Sequence, residues 1–448
     1  MKNIYHSDIY KFDTPISSYW EDTSNENLEI DRLKKDTNSE IVVIGGGYTG
    51  LLCAINLLEN HNLDVILVEA GKIGWGASSR NAGFNCLPPS KMSFKKMQSI
   101  YGMEETKKFF RNSVEGSNHT KDIIKEYNID CDVTGDSNFV VAHHKNKFEQ
   151  IKEQAEVYES EFGIETEIYS KEQFNEIGHG GTEQYGAFSY KPGFAINPLK
   201  FVNGIAKYAL SKKLKIFEHT KVDKIDKENG SYILRTKEGS IRSKKIVVAT
   251  NGFYQEGLIP QMDGRVLPVI SNIIVTRKLN EDELNAHNFK TFSPIANTKN
   301  LLYYYRKLPD NRILFGTRGD LTGSDQSNLA MSVKMEKFLK NIFPKWSNVT
   351  IDYNWRGLIA LSQKLTPSIG KIDNEEIYYG FGYNGVGVSA APWTGKQLSK
   401  LVFSSNSKEL DISKIYKGLP KKFIFPQLRT FYFRLAVWFY AIKDKLKI

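Results

Sequence analysis

The fold is decided by the stretch Ile41-Val42-Val43-Ile44-Gly45-Gly46-Gly47-Tyr48-Thr49-Gly50. The four branched apolar residues at 41–44 are typical of a strand buried on both faces, as in a parallel sheet. The glycines have the Gly-x-Gly-x-x-Gly spacing: Gly45 allows a tight turn, Gly47 lets the backbone approach a pyrophosphate, and Gly50 lets helix and sheet pack closely. The stretch therefore predicts the opening strand, turn and helix of a dinucleotide-binding unit.

The residues that follow complete a βαβ unit. Positions 51–58 continue as a helix, whose N-terminal N–H groups and dipole favour a phosphate. A second strand spans 64–68 and ends at Glu69, which is placed to accept hydrogen bonds from a ribose 2′-hydroxyl. Glu69 would repel a 2′-phosphate, which argues against NADP. A chance glycine-rich turn is the alternative, but strand, helix, second strand and terminal acid all occur in order, so we predict a dinucleotide site.

Length and charge narrow the class of protein. A chain of 448 residues is too long for one core and predicts two domains. The net charge of +10 arises from 61 Lys and Arg scattered among 51 Asp and Glu, with no long basic run before the tail. We attribute it to solvated surface and expect no nucleic-acid partner. Residues 1–20 lack an apolar signal segment, and no uncharged run reaches membrane-spanning length.

Cysteine usage bears on metal binding and on the redox compartment. Cys53, Cys86 and Cys131 are sparse, odd in number and without metal-ligand spacing. They fit a reducing cytoplasm. We therefore expect a cytoplasmic protein with no metal site and no disulfide framework.

Residues 70–84 form a loop rich in glycine and small residues, which lets its backbone approach something flat or charged. The pattern Gly-Ala-Ser-x-Arg-Asn-x-Gly at 76–83 resembles the D-amino-acid-oxidase-like superfamily of FAD-dependent amine oxidoreductases, and within it the γ-glutamylputrescine oxidase branch. The resemblance implies that Ser78 and Ser79 meet the pyrophosphate of FAD. It also implies that the isoalloxazine ring lies beside Arg80, Asn81, Ala82 and Gly83.

Later motifs extend the resemblance from Ile41 to about Val402. The turn Thr250-Asn251-Gly252 is similar to the family's Ala-Thr-x-Gly turn near the cofactor, and the stretch 355–370 resembles its Trp-x-Gly to Pro-x-Ile-Gly segment. The stretch Asn384-Gly385-Val386-Gly387-Val388 resembles the C-terminal flavin fingerprint, where glycines before a helix point N–H donors towards the pyrimidine edge of reduced flavin. The resemblance also places the Val222 backbone near adenine, and the implied cofactor becomes FAD rather than NAD.

The predicted FAD-binding residues come from each of these segments. They are Gly45, Gly47, Tyr48, Thr49, Gly50, Glu69, Ser78, Ser79, Arg80, Asn81, Ala82, Gly83, Val222, Thr250, Asn251, Gly252, Asn384, Gly385, Val386, Gly387 and Val388.

At three positions this chain lacks a functional residue that other branches of the family have. Sarcosine-oxidase-type members hold the substrate carboxylate with a Lys where this chain has Ser389, so simple sarcosine chemistry is not expected. The Cys that binds flavin covalently in that branch corresponds to Ala360, and the covalent His of dimethylglycine-dehydrogenase-type members corresponds to Arg80. Because both nucleophiles are missing, we expect FAD to be bound non-covalently.

The fold class expected is α/β, with a Rossmann-like FAD-binding domain and a discontinuous α+β substrate domain built on an antiparallel sheet. Long strands predicted over 265–276, 301–306 and 312–317 would form the floor of the substrate cavity. The predicted division gives 1–90, 197–252 and 351–420 to the FAD domain, 91–196 and 253–350 to the substrate domain, and 421–448 to a C-terminal amphipathic helix.

Flavin amine oxidation moves a hydride equivalent from the carbon beside nitrogen to flavin N5, so no protein general base is obligatory. Tyr303, Tyr304 and Tyr305 alternate in direction, and we take Tyr303 and Tyr305 as candidates for the cavity wall. Packing between sheet and helices is the alternative for these tyrosines. Arg306 or Arg318, with Arg318 the preferred candidate, could anchor a carboxylate, although solvent-exposed arginines are common at strand ends.

Three classes of function remain open. The first is an FAD-dependent oxidase or dehydrogenase that acts on a small amine or N-substituted amino acid, gives an imine that hydrolyses to aldehyde and amine, and passes electrons to oxygen or another acceptor. The second is a tRNA-modifying flavoprotein, which would need a clustered basic face. The third is a flavin-binding assembly or scaffold subunit without turnover. The resemblance favours the first.

The tail from 421 to 448 has apolar residues at helical three-and-four spacing with basic residues largely on the other side. Such a helix can lie on an anionic membrane, and peripheral contact with the inner face of the membrane would follow. Packing against the chain's own body is the commoner arrangement and is the favoured alternative.

Overall fold

The computed structural model describes residues 4–24, 26–406 and 410–446. Its β-strands are β1 Thr37–Ile44, β2 Val65–Val68, β3 Phe84–Asn85, β4 Asn138–Val141, β5 Thr166–Tyr169, β6 Ala187–Tyr190, β7 Phe194–Ala195, β8 Lys215–Phe217, β9 Lys224–Glu228, β10 Ser231–Arg235, β11 Ser240–Val248, β12 Leu267–Thr276, β13 Ile295–Asn297, β14 Tyr304–Lys307, β15 Ile313–Arg318, β16 Ile351–Leu361, β17 Ser368–Lys371 and β18 Ile377–Phe381. Its α-helices are α1 Tyr19–Asp22, α2 Tyr48–His61, α3 Ala77–Arg80, α4 Phe94–Tyr101, α5 Met103–Glu126, α6 Phe148–Phe162, α7 Lys171–Ile177, α8 Pro198–Ser211, α9 Glu281–Ala286, α10 Asp325–Ile342, α11 Gly387–Ser404 and α12 Arg429–Leu446.

The first sheet contains the predicted βαβ unit and has the order β17-β18-β11-β1-β2-β8, with β10 pairing β11 and β9 pairing β10. Its central strands β18, β11, β1, β2 and β8 run parallel. Residues 41–44 of β1 are buried, as a strand covered on both faces requires. Because the strands are parallel, the turns that follow β1, β2 and β11 meet at one edge of the sheet.

The second sheet has the order β16-β12-β15-β14-β13-β4-β6-β5 and is antiparallel except for the β13–β4 pair. The strand predicted over 265–276 is present as β12, Leu267–Thr276, which pairs with β16 over nearly its whole length. This α/β architecture, with a parallel sheet and a separate antiparallel one, is the expected fold class.

Close packing between helices and turns explains two of the glycines. A Cβ on Gly50 would lie 1.9 Å from the Gly45 carbonyl oxygen, so the start of α2 can approach the end of β1 only without a side chain. A Cβ on Gly395 of α11 would lie 2.6 Å from the Thr49 carbonyl oxygen, which lets α11 cross α2 closely. The two helices thereby bring the glycine-bearing turns at 45–50 and 384–388 together.

The C-terminal helix α12 begins at Arg429, after Pro426, rather than at the predicted position 421; residues 447 and 448 lie outside the described residues. The favoured expectation that its apolar stripe packs on the chain's own body is wrong. Phe431, Leu435 and Trp438 are exposed by 54%, 50% and 66%. Polar contacts hold the other side of the helix, as described below. None of the helices in the described residues is long and apolar enough to cross a membrane.

Candidate active site

A cavity of about 680 Å³ is lined by residues from both sheets and from the loop after β2. Its volume lies within the usual range for small-molecule and cofactor sites. The first sheet contributes the ends of β1, β2 and β11, and the second contributes β12, β14, β15 and β16. The cavity is therefore the place where a group bound at the parallel sheet can meet a second molecule.

The βαβ unit supplies one end of this cavity through Gly45, Gly47, Tyr48, Thr49 and Glu69. The Glu69 carboxylate accepts hydrogen bonds from the backbone N–H of Gly46 at 2.7 Å and of Gly71 at 2.9 Å. Burial raises the pKa of Glu69, and these backbone donors act against that rise. The carboxylate is thus held in a fixed orientation at the end of β2, where a ribose hydroxyl would meet it.

The glycines at this end leave no room for side chains. Gly45 has a φ of +113°, and a Cβ there would lie 2.8 Å from the Ala249 carbonyl oxygen. A Cβ on Gly47 would lie 2.8 Å from Ser78 Oγ. Gly50 does not line the cavity, in keeping with the packing role expected of it.

The loop at 76–83 contributes Ser78, Arg80, Asn81 and Ala82 to the lining, whereas Ser79 and Gly83 lie behind it. The Arg80 guanidinium donates to the carbonyl oxygens of Trp75 at 2.7 Å and Arg356 at 3.2 Å, and it stacks over the Trp75 ring at 3.9 Å. Burial lowers the pKa of Arg80 to about 9. Arg80 is therefore a fixed cation in the wall, held by hydrogen bonds from its Nε and Nη1 to backbone oxygens.

The remaining predicted cofactor contacts also reach the cavity. The lining includes Val222, Thr250, Asn251, Gly252, Asn384, Gly385, Val386, Gly387 and Val388. Neither α11, which begins at Gly387, nor α2, which begins at Tyr48, is capped by the side chain of its own N-cap residue, and in α2 the Tyr48 N–H donates to Ser78 Oγ at 3.1 Å. N–H groups in the first turn of a helix have no partner inside the helix, so both termini can serve as anion or oxygen sites.

Unsatisfied polar atoms test whether these residues fit FAD. Thr250 Oγ1 and Asn384 Oδ1 are buried in the lining and have no hydrogen-bond partner among the described residues. Buried polar groups are normally paired, so such atoms in a cavity wall indicate a polar ligand. Together with two helix starts that lack a cap from their own N-cap residues and glycines that exclude side chains, they fit a dinucleotide. The residues that would hold it are those named from the sequence that line the cavity.

On the strand β14, Tyr304 faces the cavity, and its hydroxyl is 2.8 Å from Ser271 Oγ. The choice of Tyr303 and Tyr305 for the cavity wall is therefore wrong. Tyr303 stacks on Phe338 of α10, and the Tyr305 hydroxyl is 2.8 Å from His179 Nε2 inside the core on the other side of the sheet. The side chains alternate between the two faces of the sheet as predicted, but α10 and its neighbours cover the face that carries Tyr303 and Tyr305.

Of the two candidate arginines, Arg318 lines the cavity and Arg306 does not. Arg306 is buried away from the cavity, donates to the Ile196 carbonyl oxygen at 2.7 Å and lies over the Trp20 ring. Arg318 lines the cavity, and its Nη2 is 3.9 Å from the position of a Cβ on Gly385. Lys91, which the sequence did not single out, lines the same cavity. No local pattern marks Lys91, because only the path of the chain after β3 brings it to the site.

Metal chemistry has no candidate centre in the part of the chain that the structure describes. No group of three or more His, Cys, Asp or Glu side chains there could hold an ion. Cys86 lines the cavity as a free thiol, and burial raises its pKa to about 12. The thiol therefore stays protonated at neutral pH.

The fold and the cavity define a class: a dinucleotide-binding protein whose cofactor site adjoins a second wall built on an antiparallel sheet. The chain belongs to the DAO family of FAD dependent oxidoreductases, whose family model matches residues 40–401. Its cofactor is accordingly FAD.

Similar proteins agree with this assignment. The chain is 28% identical to gamma-glutamylputrescine oxidoreductase of Escherichia coli (strain K12) over 436 residues, which are 96% of this chain and 99% of that protein. The structure is similar to that of glycine oxidase from Geobacillus kaustophilus, with a TM-score of 0.70 and 16% identity over 86% of this chain and 99% of that chain. It is also similar to L-proline dehydrogenase from P. horikoshii, with a TM-score of 0.66 and 22% identity over 84% and 96% of the two chains. The two structural likenesses show the shared fold.

Proposed function

We propose that the protein oxidises a C–N bond of a small amine or N-substituted amino acid, giving an imine that hydrolyses to an aldehyde and an amine. The observation that carries the proposal is that one cavity joins the predicted cofactor residues to Tyr304, Arg318 and Lys91 of the second wall. The name of the Escherichia coli relative, gamma-glutamylputrescine oxidoreductase, supports an amine as substrate. When bound, FAD supplies the hydride acceptor for such chemistry.

The chain's own residues would bind the substrate and exclude water. Phe84, Ile273, Leu302 and Ile359 give the cavity apolar walls. An apolar wall disfavours the charged form of an amine, and only the neutral amine can be oxidised in this way. The low polarity of the cavity therefore serves the reaction without a dedicated general base.

Tyr304 has the role of a hydrogen-bonding group in this proposal. Burial raises the pKa of Tyr304 to about 12, so the phenol stays protonated at neutral pH. Ser271 fixes the hydroxyl at 2.8 Å. We propose that Tyr304 orients the substrate and does not remove a proton.

The test is anaerobic addition of a panel of amines and N-substituted amino acids to the purified holoenzyme. Bleaching of the flavin absorbance by at least one of them is expected, and admission of oxygen or of an artificial acceptor should then restore it at a rate that identifies the preferred acceptor. A holoprotein that no amine reduces would support the scaffold alternative. RNA binding with a steep salt dependence would support the tRNA-modifying alternative.

We also propose that α12 makes a peripheral contact with an anionic membrane. Its exposed stripe consists of Phe431, Leu435, Trp438, Phe439, Ile442 and Leu446, and the exposed Leu428 directly precedes the helix. The opposite side is tied to the body: Asp444 accepts from the backbone N–H of Asn300 and Leu301 at 2.9 Å, and Arg429 pairs with Glu256. The segment 421–446 carries six Lys and Arg against one Asp, a balance that suits an anionic lipid surface.

Sedimentation with lipid vesicles tests this contact. Wild-type protein should bind vesicles that contain phosphatidylglycerol, and less to pure phosphatidylcholine, with binding reduced by salt. The double variant Leu435→Glu/Trp438→Glu should not bind, whereas Leu329→Glu, at an exposed apolar residue of α10, should bind normally. Equal sedimentation of all three proteins would contradict the proposal.

A further inference from the structure

Residues 4–14, the N-terminal segment, contact both walls of the cavity and contribute to its lining. Ile4, Tyr10 and Phe12 line the cavity, although none of them belongs to a glycine-bearing cofactor motif. The cavity wall therefore includes a segment that those motifs do not account for, and the contacts at its two ends indicate what it does.

The first end of the segment, residues 5–9, is fixed on the second sheet. Tyr5 and Ile9 are exposed by only 6% and 2%, and they pack in an apolar cluster with residues of β12 and β16. The Tyr5 hydroxyl donates to the Pro268 carbonyl oxygen in β12 at 2.7 Å. Gly323, in the loop after β15, allows this close approach, because its φ is +77° and a Cβ there would lie 3.0 Å from Tyr5 Cβ. Detaching this end would expose apolar side chains and break a buried hydrogen bond.

The other end of the segment lies on the FAD-binding side, beside the loop after β2. The ring centroids of Phe12 and Trp75 are 4.7 Å apart, and Trp75 Nε1 donates to the Thr14 carbonyl oxygen at 3.2 Å. The Phe12 carbonyl oxygen lies 2.9 Å from the position of a Cβ on Gly71, two residues after Glu69. The segment therefore crosses from the antiparallel sheet to the turn where the ribose of FAD is expected.

The contacts at this second end are weaker than those at the first. The Asp13 carboxylate is 2.8 Å from His219 Nδ1, but the Asp13 side chain is 88% exposed. Lys11 pairs with Asp325 at 3.4 Å, and these side chains are 50% and 68% exposed. Exposed ion pairs contribute little to stability, because water solvates and screens the separated charges. Residues 10–14 can therefore separate from the body at a lower cost in free energy than residues 5–9.

We propose that residues 10–14 form a lid over the cofactor end of the cavity, hinged on residues 5–9, and that the lid opens when FAD enters or leaves. FAD is the cofactor of the family, so the inference does not depend on which substrate is oxidised. The closed lid and bound FAD would shield each other from water, because Tyr10 and Phe12 line the cavity. Whatever factor the closed lid adds to the affinity for FAD, bound FAD adds the same factor to the equilibrium for lid closure.

The first test measures the rate at which FAD leaves the purified holoenzyme after dilution, followed by the fluorescence of free FAD. Phe12→Ser should release FAD about threefold to tenfold faster than wild type, because it removes the ring contact with Trp75 that holds the lid. Phe12→Tyr keeps an aromatic ring and should release FAD at the wild-type rate. The matched control is Tyr127→Ser, which breaks a ring pair with Tyr208, 3.6 Å between centroids, that does not line the cavity. It should also release FAD at the wild-type rate.

The second test follows trypsin cleavage of the wild-type chain after Lys11, before and after removal of FAD. Cleavage after Lys237 is the internal reference, because this residue precedes β11 and the cavity lies at the other end of that strand. Removal of FAD should accelerate cleavage after Lys11 by a larger factor than cleavage after Lys237, since the protease acts on the opened lid.

The outcomes separate the lid from the reaction. The lid is overturned if Phe12→Ser releases FAD at the wild-type rate, if Tyr127→Ser accelerates release as much as Phe12→Ser does, or if removal of FAD accelerates both cleavages equally. The expected release and cleavage in a protein that no amine reduces would support the lid while the proposed function fails. Reduction by an amine together with any of the three contrary results would support the function and overturn the lid.

Discussion

Replacement of Gly45 by alanine is the sharpest test of the dinucleotide cradle. Gly45 has a φ of +113°, which side chains rarely adopt, and its Cβ would lie 2.8 Å from the Ala249 carbonyl oxygen and 3.0 Å from the Ala249 carbonyl carbon. Both atoms belong to the backbone at the end of β11, so they cannot rotate away. Either the turn after β1 or the end of β11 must move, and both line the cavity.

The loss of unfolding free energy expected for Gly45→Ala is the sum of two contributions. The unfavourable φ costs about 1–2 kcal/mol of unfolding free energy. Displacement of packed backbone costs about 1–3 kcal/mol more. Gly230→Ala separates the two, because Gly230 has a φ of +75° in the turn between β9 and β10 but no atom within 4 Å of its Cβ position. Gly230→Ala should therefore lose only the free energy that the unfavourable φ costs.

The assay compares FAD content per chain and urea unfolding for both variants. Gly45→Ala should lose about 2–5 kcal/mol of unfolding free energy and most of its bound FAD. Gly230→Ala should lose about 1–2 kcal/mol and keep its FAD. If Gly45→Ala holds FAD as wild type does, the assignment of this turn to the cofactor would be refuted.

Three further predictions concern tyrosine, pH and the cofactor link. Tyr304→Phe should raise KM for the substrate, whereas Tyr305→Phe should leave KM unchanged. Each variant should lower the unfolding free energy by about 1 kcal/mol, because each breaks one hydrogen bond, to Ser271 or to His179. A rise in KM in Tyr305→Phe alone would reverse the two faces of β14. Burial lowers the pKa of His179 to about 3, and its Nδ1 accepts from the Gly181 N–H. As the pH falls below about 6.5, His179 is protonated in the unfolded chain but stays neutral in the folded one. The free energy of unfolding, measured with urea, should therefore fall from about pH 6.5 towards pH 3, and it should fall less steeply with pH in His179→Gln. The same dependence on pH in that variant would exclude His179 as the source. Acid precipitation should release FAD into the supernatant, since the sequence resemblance puts Ala360 and Arg80, which cannot form a flavin link, at the positions of covalent attachment in other branches. Flavin that stays in the pellet would show a covalent bond.

The sequence predicted those parts of the fold in which the local pattern fixes the structure. The strand at 41–44, the turn at 45–50 and the acid at 69 each need particular residue types, and the structure has them as β1, the start of α2 and the end of β2. The start of α11 after the glycines at 385 and 387 follows from the same logic.

Other features depend on contacts that no local pattern encodes. The alternation of side chains along β14 predicts that Tyr304 points to the opposite face of the sheet from Tyr303 and Tyr305. Which of the two faces lines the cavity depends on where α10 packs. Lys91 shares the cavity with Arg318 only because the loop after β3 runs along the cavity wall. The apolar spacing of α12 predicted a stripe, yet whether the stripe is covered depends on the surface beside it.

The central claim is that this chain holds FAD beside a cavity in which an amine is oxidised. Its most direct test is a single anaerobic turnover of the holoenzyme with each of a panel of small amines and N-substituted amino acids, with flavin absorbance and aldehyde measured in the same sample. The account predicts that one aldehyde appears for each flavin reduced. A flavin that stays oxidised with every such amine, or one that is reduced without any aldehyde, would contradict it.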